Sequence, residues 1–351
     1  MGVFSRFFGD KNRRGGRGAE SSSEPELVPP TPGQATTIEA VPGRVEVDFH
    51  VHATMQGQVG NFLTAVTRGL HASGQRELVL TMRLGNREGP SSKMRELVRF
   101  FAAVHTWAGA GRLVDAGSVT QFAERGLFGV ANCGLLYADA QMFDDVELPD
   151  GALSAIFVDA DEIRLALECG NARVLTRLGE QFRIFPFPAW STIERSSAAT
   201  SKEFESLLWQ TPKLHLQRAS FVVADHRLCL SIPNDEARVS DAIRTLPPDT
   251  PFALLTRVAK TANAALVWRP GQQEMLGISP EGSNGSRLSG CFVLFTRDDK
   301  DDYARPFEDG YVVLLGPEAW TMLVAALVEQ QPLSVKLKDG LHFALEWHSV
   351  P

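Results

Sequence analysis

The stretch Val45–Met55, VEVDFHVHATM, alternates through its first eight residues. Val45, Val47, Phe49 and Val51 fall on one face of an extended chain. Glu46, Asp48, His50 and His52 fall on the other. A period of two predicts a half-buried strand that opens the folded region. The same residues read D-x-H-x-H, and an H-x-H pair on a first strand supplies ligands in many metal-dependent hydrolases. His50 and His52 share a strand face, so they suit two of the three protein ligands of an open zinc site. His226 is the best third ligand, but it lies in the second half of the chain. The other histidines form no H-x-x-x-H pair, and the regular strand–helix alternation of the barrel hydrolases is absent. The preferred reading is therefore polar residues on the wet face of an edge strand, with no metal and no cofactor. A hydrolase built on His50, His52 and His226 stays open as the alternative.

With 351 residues, 44% of them hydrophobic, the chain can build one large domain or two modest ones. A net charge of -7 without a basic stripe argues against nucleic acid as a partner. The four cysteines, Cys133, Cys169, Cys229 and Cys291, form no C-x-x-C motif. No signal peptide is evident, and no apolar run reaches the roughly 18 to 20 residues that span a bilayer. These features together predict a cytoplasmic protein with reduced, mostly buried thiols.

Residues 12–44 are rich in Gly, Ser, Pro and Glu, a composition that cannot offset its ordering entropy. Residues 1–44 are expected to form a disordered tail. At its start, MGVFSRFFGDK places Val3, Phe4, Phe7 and Phe8 at helical spacing, with Arg6 and Lys11 beside them. That pattern predicts a short amphipathic anchor making weak contact with an anionic surface at the inner face of the membrane.

Beyond the tail, residues 61–72 are expected to be helical, with Phe62, Val66 and Leu70 in register. GQRELVLTMRLG, LFGVANCGLLYAD and ALSAIFVDA read as strands. SSKMRELVRFFAAVHTW carries an apolar stripe at helical spacing, and DADEIRLALECGN reads as a helix ended by Gly170. The proline-rich FPFPAWSTIERSSAATSKE marks a subdomain boundary, giving 45–195 and 196–351. In the second half, ASFVVAD, HRLCLSIP, FALLTRVA, AALVWRP, GCFVLFT and GYVVLL read as strands. QQEMLGISPEGSNGSRLSG reads as a loop and GPEAWTMLVAALVEQ as a helix. LSVKLKDGLHFALEW reads as a hairpin turning at Asp339-Gly340. The fold class is α+β: two subdomains with mainly antiparallel sheets covered by helices.

No G-x-S-x-G elbow, P-loop or dinucleotide fingerprint is present. DDKDDY (Asp298–Tyr303) lacks the order and glycine of an EF-hand. Nothing in the chain composes a catalytic constellation, so it reads as a non-enzyme.

The order FHVHA, GQRELVLTMRLG, MRELVRFFAAV, GLLYADAQM and VELPDGALSAIFVDADEI resembles the Suppressor of fused family over about residues 45–195. LSGCFVLFT followed by FEDGYVVLL and a helix resembles, more weakly, the C-terminal domain of Smad anchor proteins. Both resemblances imply a protein-binding module without catalysis. For bacterial relatives of Suppressor of fused, an immunity role against toxins is the implied one. The family grips an extended partner peptide between its two halves by added strand pairing, helped by an aromatic and an aspartate. The aromatic position matches Phe100, which lacks the tyrosine hydroxyl. The aspartate position falls at Gly117, with Asp115 two residues away. Phe100, Asp115 and Asp139 are thus the partner-binding candidates, with a core residue the slightly preferred reading of Phe100. The expected function is sequestration of a protein partner, for which the net negative charge favours a basic one. A self-assembling structural or targeting component is the further alternative.

Overall fold

The structure is a computed structural model. It describes residues 3–4, 28–31, 33–85, 89–123, 126–141, 146–184, 186–216, 218–236, 238–256, 264–267, 276–278, 288–307, 310–338 and 340–349. The chain divides into two compact units. Unit 1 is Met1–Ile163 with Ala189–Ser196, and unit 2 is Arg164–Pro188 with Ser197–Pro351.

Unit 1 holds the strands β1 (Val3–Phe4), β2 (Thr36–Val41), β3 (Val45–Met55), β4 (Gln58–Arg68), β5 (Leu78–Leu84), β6 (Val119–Gln121), β7 (Gly134–Asp139) and β8 (Leu153–Val158). They form one sheet in the order β1-β6-β7-β8-β5-β4-β3-β2. The opening stretch is β3, and Val45, Val47 and Phe49 are fully buried as its alternation requires. It is not an edge strand, because β2 covers it from Thr36 opposite Phe49 to Val41 opposite Val45. Thr36–Val41 falls in the stretch read as tail. Its alternation is short, yet Ile38, Ala40 and Val41 pack on the core while Glu39 stays exposed.

Residues 58–68 form a strand rather than the expected helix. Phe62 and Val66 are four apart, a spacing that suits one helix face and one strand face equally. Thr64, Val66 and Thr67 are β-branched, which favours the strand. Gln56 and Gly57, both with positive φ (46° and 75°), make the two-residue turn that pairs Met55 with Gln58. Strand β4 ends at Gly69, where a Cβ would meet the Arg44 carbonyl oxygen at 2.1 Å.

Helix α1 (Pro90–Gly109) starts on Pro90 and buries Met94, Leu97, Phe101, Val104 and Ala108 as one stripe. Met94, Leu97, Phe101 and Val104 join Phe49, Leu63, Leu80, Tyr137 and Phe157 in the core of unit 1. Strands β5 and β8 pair in parallel only at Leu78–Leu153 and Val79–Ser154. Further along, Ser191 bonds to both. Its N–H donates to the Thr81 carbonyl (2.9 Å), and its own carbonyl accepts from Arg83 N–H (2.7 Å). Its Oγ accepts from Phe157 N–H (2.9 Å). These bonds place residues 189–196 with unit 1.

The division between the units falls inside α2 (Ala160–Cys169), which Gly170 separates from α3 (Asn171–Phe182). Unit 2 continues with α4 (Ser201–Phe204), α5 (Leu207–Gln210), β9 (Lys213–His215), β10 (Ser220–Ala224), β11 (Arg227–Pro233), α6 (Arg238–Thr245) and β12 (Phe252–Leu255). Then follow β13 (Ala264–Val267), β14 (Leu276–Ile278), β15 (Leu288–Ser289), β16 (Phe292–Arg297), β17 (Tyr303–Phe307), β18 (Gly310–Leu315), α7 (Pro317–Glu329), β19 (Leu333–Lys336) and β20 (His342–His348). One sheet runs β14-β13-β15-β10-β11-β20-β19 and a second β17-β18-β16-β12-β9. Phe221, Leu230 and Phe343 from the first meet Leu254, Val293 and Phe295 from the second in a shared core, with Trp320 and Leu323 of α7. The stretch read as a loop before Gly290 contains β14 and β15. The closing hairpin spans five residues, because Lys336 pairs with His342 rather than turning in two.

The fold is α+β, with mixed sheets. Parallel pairings join β1 to β6, β5 to β8, β9 to β12, β11 to β20, β13 to β15 and β16 to β18. All four cysteines are thiols, and Cys133, Cys169 and Cys291 are buried. Among the described residues no helix is long and apolar enough to cross a membrane.

Unit 2 also buries an ion cluster. Glu203 of α4 accepts from Arg173 at 2.5 and 2.9 Å and from Arg177 at 2.8 Å. Burial alone would raise the Glu203 carboxyl, but the two guanidiniums outweigh it and hold it below the usual range. Removing the carboxylate strands buried cations. Glu203→Ala should therefore destabilise unit 2 by about 3–5 kcal/mol. A urea titration read by tryptophan fluorescence should show the shift, and an unchanged midpoint would count against the cluster as a structural element.

Candidate functional site

The histidine pair lies in unit 1 on β3. His50 and His52 stack with centroids 6.2 Å apart and planes 18° apart. Asp48, the third member of the motif, is engaged elsewhere: its carboxylate accepts from Thr37 Oγ1 at 2.7 Å and Arg68 Nε at 2.5 Å. Burial depresses the basicity of His50, and Asp48 only partly restores it. His226 belongs to unit 2. With Asp225 it makes the exposed left-handed turn between β10 and β11 (φ 50° and 57°). Among the described residues no three His, Cys, Asp or Glu side chains gather as a metal group would require.

The partner-binding candidates converge on a different place, the rim of the unit 1 sheet at β6. Its inner side is bonded to β7. Gly117 N–H donates to the Tyr137 carbonyl (2.8 Å), Tyr137 N–H to the Ser118 carbonyl (3.2 Å), and Phe122 N–H to the Cys133 carbonyl (2.8 Å). The Ser118 carbonyl and the peptide groups of residues 120 and 122 thus point at β7. By alternation Val119 and Gln121 point theirs outward. Thr120 and Tyr137 hydroxyls meet at 2.9 Å beneath the sheet. Gly134, opposite Gln121, lets the two backbones close, since a Cβ there would lie 2.4 Å from the Thr120 carbonyl oxygen.

The approach to β6 is fixed by two adjacent residues, Gln75 and Arg76. The buried Gln75 amide both donates to and accepts from the Val114 backbone (3.0 and 2.8 Å). Arg76 reaches Asp115 at 2.7 Å, Asp139 at 2.8 Å and the Gly151 carbonyl at 2.6 Å. Asp115 and Asp139 are therefore brought together, across one guanidinium. Burial works against the charge on Arg76, but the two carboxylates raise its basicity further still. Two carboxylates thus share one guanidinium, and Asp115 is 68% exposed.

Asp115 opens a four-residue turn in which Ser118 N–H donates to the Asp115 carbonyl at 2.8 Å and Gly117 takes φ 90°. That conformation favours glycine, which accounts for Gly117 where the resemblance would place an aspartate. Phe100 is only 5% exposed, packed against Phe101, Trp107 and Phe122 with centroids 5.2, 6.4 and 6.0 Å away. It supports the rim through Phe122 and is not a surface group. Of the anchor residues, Val3 and Phe4 form β1, parallel to β6 with Val3 opposite Val119 and Phe4 opposite Thr120. Their backbone is extended, not helical. Arg6, Phe7 and Phe8 lie outside the described residues. Sequence reading missed Gln75, Arg76 and the Thr120–Tyr137 pair. Only the Asp115–Ser118 turn carried a local signal, its glycine.

Structures similar to this chain include those of Suppressor of fused, the family the sequence resembles. Drosophila Suppressor of fused is 10% identical with a TM-score of 0.34, over 86% of this chain and 88% of that one. The crystal structure of the Sufu-Fu complex matches at 12% identity and a TM-score of 0.35, over 46% of this chain and 81% of that one. No protein-family model and no curated protein matches.

The lowered basicity of His50 has a measurable consequence. Its folded-state pKa lies below the ordinary value near 6.5, so the unfolded chain takes up its proton first as pH falls. Stability is full above about pH 6.5 and declines as pH drops through the folded value. Asp48, also lowered, acts in the same sense but only below about pH 4. Between pH 7.5 and 5.5 the melting temperature of the native chain should fall more than that of His50→Gln. Parallel curves would refute the assignment. His215, shifted likewise by burial, is present in both proteins and cancels.

Proposed function

We propose that this chain is a non-catalytic protein-binding module that takes an extended partner segment onto the outer side of β6. The observation that carries this reading is the pairing state of that strand. Its inner side is bonded to β7, and its outer side already holds extended backbone, residues 3–4, in parallel register. Strand addition draws affinity from main-chain hydrogen bonds, and side-chain contacts at the rim add selectivity. The corner made by Asp115, Asp139 and Arg76 favours a basic residue in the segment. The net charge of -7 steers a basic partner toward the chain in the same sense. Sequestering such a segment is the regulatory role that fits.

Gln121→Pro provides the test. Proline removes the outward N–H and leaves the bonds made by residues 118, 120 and 122 to β7, a position where an edge strand tolerates it. Peptides selected from a random displayed library on the full chain should carry Lys or Arg and bind Gln121→Pro at least about tenfold more weakly. That loss corresponds to about 1.4 kcal/mol, the scale of one or two hydrogen bonds. Peptides that bind both proteins equally, or a library that yields none, would overturn the proposal.

A further inference from the structure

The residues paired to the outer side of β6 are the chain's own. We infer that the amino terminus, through Val3–Phe4, competes with a partner segment for this rim and so sets how much of it is available. The inference rests on the reading of β6 as the partner site. Two of the three β6 residues have a partner in β1, Val119 opposite Val3 and Thr120 opposite Phe4. The parallel register aims Phe4 N–H at the Val119 carbonyl and Gln121 N–H at the Phe4 carbonyl, the same groups that an added strand would use.

Nothing in the covalent fold requires this pairing. More than 100 residues of sequence separate β1 from β6. Release of β1 uncovers the outer side of β6 and leaves the bonds between β6 and β7 in place. A two-residue strand makes few main-chain hydrogen bonds and is a weak ligand. Because it belongs to the same chain its pairing is intramolecular, so it covers the rim for part of the time while a partner displaces it readily. A partner then binds about two- to tenfold more weakly than it would to an uncovered rim.

Amide hydrogen exchange and peptide binding on three proteins test this: the full chain, a chain lacking residues 1–11, and the full chain with Phe4→Pro. Deletion should lower protection of the Gln121 amide about two- to tenfold and leave the Phe122 amide, bonded to Cys133, unchanged. A peptide selected on the truncated chain should bind the full chain two- to tenfold more weakly, and Phe4→Pro should restore the tighter binding. Equal protection of Gln121 and equal peptide affinity in all three proteins would overturn the inference and leave the partner site standing. Loss of Gln121 protection on deletion, with no peptide binding at the rim, would support the occupancy and remove the partner reading instead.

Discussion

The guanidinium of Arg76 ties three parts of unit 1 that the sequence keeps far apart. It bonds to Asp115 before β6, to Asp139 at the end of β7, and to the Gly151 carbonyl ahead of β8. Its neighbour Gln75 fixes Val114 by a reciprocal pair of backbone bonds. These contacts, with the buried Val114 and Ala116 and the Gly117 bond to Tyr137, fix the loop from Gly111 to Ser118 on its path into β6. The Gly117 turn reverses the chain just before the strand. The two-residue polar clamp thus helps to position the rim, and the lack of a side chain at Gly134 allows its close approach to β7.

The clamp also explains why the rim carries charge where it does. A lone guanidinium, partly buried, loses hydration. Two carboxylates compensate it, and they raise its basicity against the opposing effect of burial. Of the two, Asp115 is the more exposed. A structural requirement thus leaves an exposed carboxylate at the entrance to β6. The histidine pair shows the reverse economy. On β3, Asp48 is already satisfied by Thr37 and Arg68, so it is engaged away from any metal role beside His50.

Helices α1, α2 and α7 were legible because their signals are local. Pro90 opens α1, and an unbroken apolar stripe follows; Gly170 closes α2. Strand β3 was legible from its alternation alone. Strand β4 was not, because Phe62 and Val66 fit both periods and the turn at Gln56-Gly57 lacks the asparagine or aspartate that usually marks it. Strand β2 was hidden by composition, since six residues of alternation stand inside a stretch rich in Gly, Ser and Pro. The site was hidden for another reason. Asp115 and Asp139 were visible as residues, but the residue that joins them, Arg76, lies 39 and 63 positions away in sequence, and no spacing rule reaches that far. Phe100 was visible as an aromatic on the right helix, while the burial that makes it a support depends on Phe122.

The two rims of the unit 1 sheet differ in how they are guarded. An edge strand presents unpaired peptide groups, and proteins blunt such edges with charges, prolines and bulges. The far rim, β2, has these features. Its register shifts between Glu39 and Val41, Glu39 is exposed, and Pro42 follows directly. At the β6 rim, Val119, Thr120 and Gln121 carry neither charge nor proline, and their register against β7 is unbroken. What limits that rim is its length of three residues and the cover supplied by β1. A short, uncharged, regular edge with a small removable cover is unguarded in a directed way. Its length excludes long nonspecific pairing and suits, under the proposed function, a brief segment whose flanking residues reach Asp115. The difference between the rims is therefore a physical argument that β6, and not β2, is where this sheet is open to another chain.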